Sequence, residues 1–194
     1  AVPWGGIDPI VIASQVVIGL QTISSRQLDS TLTPSIITVG KIQGGVRFNI
    51  IPDKVELLGT IRTFDPKVRR DIHGRIKRTA ESIAESAGAT ATVVINEGTP
   101  VTSNNPALTK LMAPTLAKAA GADKVAIVPR TTTAEDFAYY QEQIPGLFFF
   151  LGVSDPKDES PASNHSPYFY ADERALPVGV KAMTYLALEY FEKE

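Results

Sequence analysis

The amino-acid sequence predicts a mixed α/β chain built from two segments that differ in kind. Residues 54–64 alternate apolar and polar side chains, which is typical of a strand with one solvated face. Residues 147–153 form a continuous apolar run, which is typical of a strand buried on both faces. Apolar residues at helical spacing lie between the strand candidates in both segments. Because the two segments differ in kind, we expect a boundary near residue 99, with domains over residues 1–99 and 100–194.

The first segment is predicted to run helix, strand, strand, helix, strand. Each helix begins at an Asp-Pro pair, with Asp8 or Asp65 as the N-cap and proline at the first helical position. A stretch rich in β-branched residues begins at Ser35 and predicts the first strand. The expected bounds are 9–25, 35–43, 54–64, 66–88 and 91–95.

This order of elements lacks one strand of a familiar unit. A strand placed ahead of the first helix would complete βαββαβ, the ferredoxin-like arrangement. Its first strand is normally central in the sheet. We therefore expect a sheet with a slot, where ladder hydrogen bonds are not made.

The second segment is predicted to alternate helices with buried strands, as in part of an α/β layer. Asn105 before a proline starts its first helix, and the long polar loop 154–164 precedes its last one. The expected helices are 105–120, 133–141 and 172–192, and the expected strands are 124–128 and 147–153.

Composition narrows the classes of function. The 194 residues carry a formal net charge of −2, which gives no general electrostatic footprint for nucleic acid, and no apolar run is long enough to cross a membrane. The absence of cysteine excludes disulfides and thiolate catalysis. Only His73 and His165 could offer imidazole, so the chain alone does not predict a self-contained zinc site. The cellular location is left open.

Candidate site residues each have a functional and a structural interpretation. His165 lies in a loop before Pro167 and could be a metal ligand, or a histidine of loop packing. Asn49 and Arg62 could grip a substrate carboxylate, or serve as a turn residue and as a strand arginine that pairs with Glu56. On the residues alone the structural interpretations are favoured.

Two further clusters are assigned structural roles. Thr133 and Asp136 have capping-box spacing, which favours helix capping over a catalytic role for Glu135 or Asp136. A basic cluster surrounds His73 on the second predicted helix, and the apolar stripe beside it indicates a solvated helix face rather than a nucleic-acid site. The cluster comprises Lys67, Arg69, Arg70, Arg75, Lys77 and Arg78.

Six motifs in sequence order resemble one family. They are Ala1-Val-Pro-Trp-Gly-Gly-Ile-Asp-Pro-Ile, Phe48-Asn-Ile-Ile-Pro, Gly59-Thr-Ile-Arg-Thr-Phe, Ala134-Glu-Asp-Phe-Ala-Tyr-Tyr, Ile144-Pro-Gly and Asn164-His-Ser-Pro-Tyr-Phe. The chain resembles the aminoacylase/carboxypeptidase family of dinuclear metal amidohydrolases, in its hippurate hydrolase and indole-acetyl-amino-acid hydrolase branch. Each motif is weak alone, but the ordered set covers essentially the whole chain.

The resemblance implies an incomplete enzyme. Residues 1–99 would be a ferredoxin-like dimerisation lid lacking its first strand, and residues 100–194 the C-terminal part of an α/β metallohydrolase catalytic domain. His165 would hold one of two divalent ions, zinc or manganese, while Asn49 and Arg62 would bind the substrate carboxylate. The general base and the other ligands would lie upstream of Ala1, so no catalytic residue is expected here.

The implied activity belongs to the intact protein. It would hydrolyse the amide bond of N-acyl amino acids, or of peptides with a free carboxylate, as a homodimer joined through the lid. The isolated, N-terminally truncated chain is expected to be inactive. The alternative is a non-catalytic module that dimerises or binds a small ligand.

Overall fold

The computed structural model describes residues 2–193, without the side chain of Lys193. The chain divides into two compact units, Ala1–Val101 and Thr102–Glu194. We call them unit 1 and unit 2 and describe each by itself.

Unit 1 contains two long helices and one hairpin. Helix α1 covers Pro9–Thr22 and continues into a π-turn, strands β1 and β2 cover Ser35–Gly44 and Val55–Thr63, and helix α2 covers Pro66–Ser86. The two strands form an antiparallel sheet with one bulge, which follows Val39. The predicted helices and hairpin strands are therefore confirmed to within a few residues at their ends.

The helix starts follow from local chemistry. One carboxylate oxygen of Asp8 accepts a hydrogen bond from the Ile10 amide at 2.9 Å. Asp65 caps α2 in the same way, accepting from the amides of Lys67 at 2.7 Å and Val68 at 3.0 Å. These bonds, first that from Val68, lower the pKa of the Asp65 carboxyl. Both caps satisfy amides that a helix leaves without internal partners.

The core of unit 1 lies between the helix pair and one face of the hairpin. The predicted apolar stripes of both helices are buried there, and Ile37 of β1 joins them from the sheet. Ile23 and Ile72 are fully buried. The buried cluster is Val16, Leu20, Ile23, Ile37, Ile72, Ile76 and Ala80.

The predicted strand 91–95 is wrong, although the segment behaves as half of a strand. Ala91, Val93 and Ile95 are half-buried against the core, while the residues between them are exposed. No backbone hydrogen bond of residues 90–97 is made within the described part of the chain. Alternate residues are apolar because they pack on the core, but a strand ladder also needs a neighbouring strand.

Unit 2 contains three helices and, among its described residues, no strand. Helices α3, α4 and α5 cover Pro106–Ala120, Phe137–Gln141 and Leu176–Lys193. Thr115 of α3, 1% exposed, donates a 2.6 Å hydrogen bond to Glu189 of α5, whose other oxygen pairs with Lys118 at 2.6 Å. No helix in the described part of either unit is long and apolar enough to span a membrane.

The predicted strands 124–128 and 147–153 are also wrong. No ladder forms at either segment, because no second strand is present beside them in the described residues. At Phe148 a side chain takes the place of the missing neighbour. The Asn104 amide accepts from the Phe148 amide and donates to its carbonyl, both at 2.7 Å.

Candidate functional site

Arg62 lies near the end of β2, opposite Ile36 of β1. Its side chain is half-buried, and its Nη1 donates to the carbonyl oxygen of Ile61 at 3.2 Å. The planar guanidinium of arginine carries five N–H donors and matches the geometry of a carboxylate better than the lysine ammonium does. The position is therefore chemically suited to holding an anionic group.

Asn49 lies in the loop that joins β1 to β2. It is exposed, in a turn closed by a 3.4 Å hydrogen bond from the Ile50 amide to the Arg47 carbonyl. An open groove runs between this loop and the start of α1, where Asp8 and Ile10 contribute to its lining. Asn49 thus lines a concave surface of unit 1.

The structure does not bring Asn49 and Arg62 together within one copy of the chain. The loop leaves the sheet at Gly44 and returns at Val55, seven residues before Arg62. At the rise of an antiparallel strand this places Arg62 about 24 Å from the loop end of the hairpin. The two side chains therefore cannot contact the same carboxylate from one copy.

The structural interpretation of Arg62, a strand arginine that pairs with Glu56, is wrong about the partner. Glu56 pairs across the sheet with Lys41 at 3.8 Å, and both side chains are more than half exposed. Six residues of extended strand, about 20 Å, separate Glu56 from Arg62. Arg62 thus sits at the opposite end of β2 from the carboxylate proposed to neutralise it.

The hairpin loop is unusually apolar for its exposure. Val46 is 92% exposed and Phe48 is 99% exposed, and the neighbouring Ile50 is also exposed. Such side chains lose contact with water only when another surface covers them. This loop therefore belongs among the candidate contact surfaces of unit 1.

His165 lies at an exposed turn of unit 2. The Ser166 amide donates to the Ser163 carbonyl at 2.9 Å, and the Ser166 carbonyl accepts from the Phe169 amide at 3.1 Å. Consecutive turns fix the backbone on both sides of the imidazole. The ring is presented to solvent rather than packed in the core.

The base of this loop is held by charged groups. The Asp172 amide donates to the Val153 carbonyl at 2.7 Å. Arg174 binds the Asp172 carboxylate through Nε at 2.8 Å and the Asp155 carboxylate through Nη2 at 2.9 Å. The hydrogen bond from the Arg174 side chain lowers the pKa of Asp172. One guanidinium thus joins the two ends of the loop that carries His165.

The described residues do not form a metal site by themselves. No group of three or more His, Asp or Glu side chains in residues 2–193 is placed to hold a metal ion. His165 could supply one ligand, whereas a zinc site generally needs three or four. Residues 2–193 by themselves therefore do not fit two metal ions.

The predicted capping role at Glu135 and Asp136 is wrong. Helix α4 begins later than expected, at Phe137, and its N-cap Asp136 makes no side-chain capping bond. The Thr133 hydroxyl instead lies 3.2 Å from the Thr131 hydroxyl. Capping-box spacing has no effect where the helix does not start at the threonine.

Some arginines of the basic cluster on α2 make hydrogen bonds and ion pairs within unit 1. Arg69 donates to the carbonyls of Gly98 at 2.9 Å and Thr99 at 3.3 Å. Arg75 pairs with Asp71 at 2.8 Å. These bonds support the structural interpretation of the basic cluster.

Two structural side chains, Asn104 and Arg174, were missed by reasoning from the sequence. Asn104 lies beside Asn105, the residue predicted to cap α3. The spacing Asp172-x-Arg174 was a usable signal for a local ion pair, but its link to Asp155 spans 19 residues and depends on the fold.

Comparison with known proteins gives consistent relatives. The chain is 41% identical over 188 residues to N-acetyl-L-cysteine deacetylase of Bacillus subtilis, covering 96% of the chain and 42% of that protein. It is 34% identical over 194 residues to the IAA-amino acid hydrolase ILR1-like 4 of Arabidopsis thaliana, covering 98% of the chain and 44% of that protein. The chain thus spans less than half the length of these relatives.

A solved structure agrees with them. A dinuclear metal-binding M20 peptidase of Bacillus subtilis superposes with a TM-score of 0.73 at 30% identity, covering 96% of this chain and 47% of that one. This confirms the predicted mixture of helices and strands with a small antiparallel sheet. Residues 5–189 match the sequence model of the family described as peptidase family M20/M25/M40, which confirms the resemblance seen in the motifs. The chain belongs to peptidase family M20/M25/M40.

Proposed function

We propose that the protein to which this chain belongs is a metal-dependent amidohydrolase that releases amino acids from N-acyl amino acids or peptides with a free carboxylate. The observation that carries the proposal is the family match over residues 5–189. It is supported by relatives named as an N-acetyl-L-cysteine deacetylase and an IAA-amino acid hydrolase.

Each unit has a proposed part in this function. Residues 1–99 serve as the lid that contacts substrate and a second copy, and residues 100–194 form the C-terminal portion of the catalytic domain. The hairpin and helix pair of unit 1, and the helix-rich composition of unit 2, support this division.

Arg62 is proposed to bind the substrate carboxylate through its guanidinium fork, and Asn49 to donate or accept a second hydrogen bond. Because about 24 Å of strand separates the hairpin loop from Arg62, one carboxylate can meet both only if they come from two copies. A homodimer formed through unit 1 supplies that arrangement. Sharing a site across copies also gives the exposed loop around Phe48 a surface to cover it.

His165 is proposed as one metal ligand, presented by the turns on either side of it. The remaining ligands of two divalent ions, zinc or manganese, and the general base are proposed to lie outside residues 2–193. The relative described as dinuclear metal-binding supports the number of metal ions in this proposal.

A second candidate describes the isolated chain. The described residues bring no three metal-ligating side chains together, which favours a non-catalytic module that dimerises or binds a carboxylate ligand. Hydrolysis by the 194-residue chain with added zinc or manganese would contradict this assignment.

The carboxylate role is tested on the full-length protein with an N-acetyl amino acid and its carboxamide. Replacing Arg62 with alanine (Arg62→Ala) removes a charge-assisted contact of about 1.5–3 kcal/mol, so kcat/KM for the acid should fall about 10- to 150-fold. Turnover of the carboxamide should change little. Arg78→Ala removes an exposed arginine from α2 and is the matched control. An equal loss on both substrates would assign Arg62 a structural role.

A further inference from the structure

The loop of unit 2 that carries His165 is long for a segment without helix or strand. It covers residues 154–171, and we call it the His165 loop. The Asp172 amide and the Val153 carbonyl, which form a 2.7 Å hydrogen bond, close it at its base. A connection of this length samples many conformations unless contacts across it remove them. The position of the imidazole therefore depends on the contacts that hold the loop.

One guanidinium joins the two sides of the His165 loop at its base. Arg174 donates from Nε to both carboxylate oxygens of Asp172, at 2.9 and 2.8 Å, and its Nη2 also contacts that carboxylate. The same Nη2 donates to the Asp155 carboxylate at 2.9 Å. Asp155 is the second residue of the loop, so Arg174 joins positions that are 19 residues apart in the chain.

A second contact crosses the His165 loop closer to the imidazole. The Tyr170 hydroxyl donates to the Asp158 carboxylate at 3.4 Å. The loop is thus narrowed first by Arg174 and then by Tyr170, and residues 159–169 form its tip. The turns on either side of His165 order the tip locally, whereas the contacts across the loop fix the tip relative to its base.

The contact of Arg174 is the stronger of the two. The side chain of Asp172 is only 15% exposed and that of Asp155 is 33% exposed. An exposed pair of single charges contributes little to stability, but a guanidinium that binds two partly buried carboxylates does so through several charge-assisted hydrogen bonds. A lysine ammonium lacks this planar fork. Without Arg174, one backbone hydrogen bond would be left to close the base of the loop.

We propose that Arg174 is a positioning residue of the proposed hydrolase, which holds the His165 loop in the conformation that presents the imidazole. The inference rests on the proposed function for the role of His165, and on the contacts of Arg174 for the order of the loop. Arg174 is assigned no contact with substrate and acts through the loop. Its loss should lower kcat, because fewer molecules then hold His165 in place. The KM should be spared, since Arg62 and Asn49 are proposed to bind the substrate carboxylate.

The test uses the full-length protein and two readouts. Hydrogen exchange followed by mass spectrometry reports on residues 156–171, and hydrolysis of an N-acetyl amino acid gives kcat and KM. In Arg174→Ala, exchange in the loop should be about 5-fold faster or more, and kcat about 5-fold lower or more, with KM within about 2-fold of the wild-type value. Arg174→Lys keeps the charge but not the fork, so both readouts should lie between those of Arg174→Ala and wild type.

Two further variants separate position from charge. Lys157→Gln is the matched control, because it removes a positive charge from the same loop that forms no ion pair within residues 2–193, and it should leave both readouts unchanged. Asp155→Asn removes the charge that Arg174 binds, yet keeps the oxygen that accepts from the Lys157 amide at 2.9 Å. It should change both readouts in the same direction as Arg174→Ala. If Arg174→Ala lowers the Tm of the whole protein, Asp155→Asn decides the question.

Three outcomes would overturn the proposal. They are unchanged exchange in the His165 loop of Arg174→Ala, faster exchange there with an unchanged kcat, and an equal fall of kcat in Lys157→Gln. Failure of the wild-type protein to hydrolyse any N-acyl amino acid would refute the proposed function, and with it the role of His165. The exchange readout decides separately whether Arg174 orders the loop.

Discussion

The separation of Asn49 from Arg62 makes a quantitative prediction for the proposed homodimer of the full-length protein. Arg62 lies seven residues along β2 from the loop end, about 24 Å, so each site should draw these two residues from different copies. Arg62→Ala and Asn49→Ala homodimers should both be weakened at every site. A heterodimer of one copy of each variant should contain one intact site and one doubly altered site.

The assay uses two affinity tags, so that only heterodimers survive sequential purification. Their kcat should reach about half of the wild-type value, well above either variant homodimer. A heterodimer of wild type with the double variant Asn49→Ala/Arg62→Ala is the matched control and should have no intact site. Activity near half in this control, with none in the first heterodimer, would place both residues in one copy and refute the reasoning.

Three further predictions concern the units themselves. Thr115→Val removes the buried donor to Glu189, and should lower the free energy of unfolding of unit 2 by about 1–3 kcal/mol in urea denaturation. Asn104→Ala frees both backbone groups of Phe148, so its amide should exchange at least 10-fold faster, whereas Asn164→Ala should leave that rate unchanged. The lowered pKa of Asp65 stabilises α2 above the ordinary aspartate pKa of 3.8, and this contribution should disappear as pH falls through the lowered value. Asp65→Asn should flatten that acid limb of the stability curve, measured by circular dichroism against pH, and an unchanged limb would contradict the assignment.

The sequence predicted those elements whose interactions join residues close together in the chain. Each Asp-Pro or Asn-Pro start contains its own cap and its own fixed dihedral angle, so α1, α2 and α3 begin where local chemistry puts them. The stripe through Val16 and Leu20 likewise carries its periodicity within one helix. These elements needed no knowledge of the rest of the chain.

The failures came from interactions between distant residues. Residues 91–95 and 147–153 have strand composition, but a strand forms only when a second backbone lies beside it. The family motifs point to Asn49 and Arg62 as candidates for binding a carboxylate, yet their 13-residue spacing does not show that the hairpin register holds them apart. His165 could be predicted as a candidate metal ligand from its motif, whereas the contact of Arg174 with Asp155 at the base of its loop depends on the fold.

The contacts of Arg69 have a mechanical consequence. Residues 91–95 are held by side-chain packing, and Glu97 lies 4.0 Å from His73. Just beyond them the Arg69 guanidinium donates to the carbonyls of Gly98 and Thr99. Tension applied to the chain from the side of residue 102 would therefore load these two hydrogen bonds before it loads the hairpin. Once these hydrogen bonds break, residues 91–99 should detach from α2 at low force, while β1 and β2 stay paired through their ladder. Arg69→Ala should lower the force of this first step in an optical trap without changing the force that opens the hairpin.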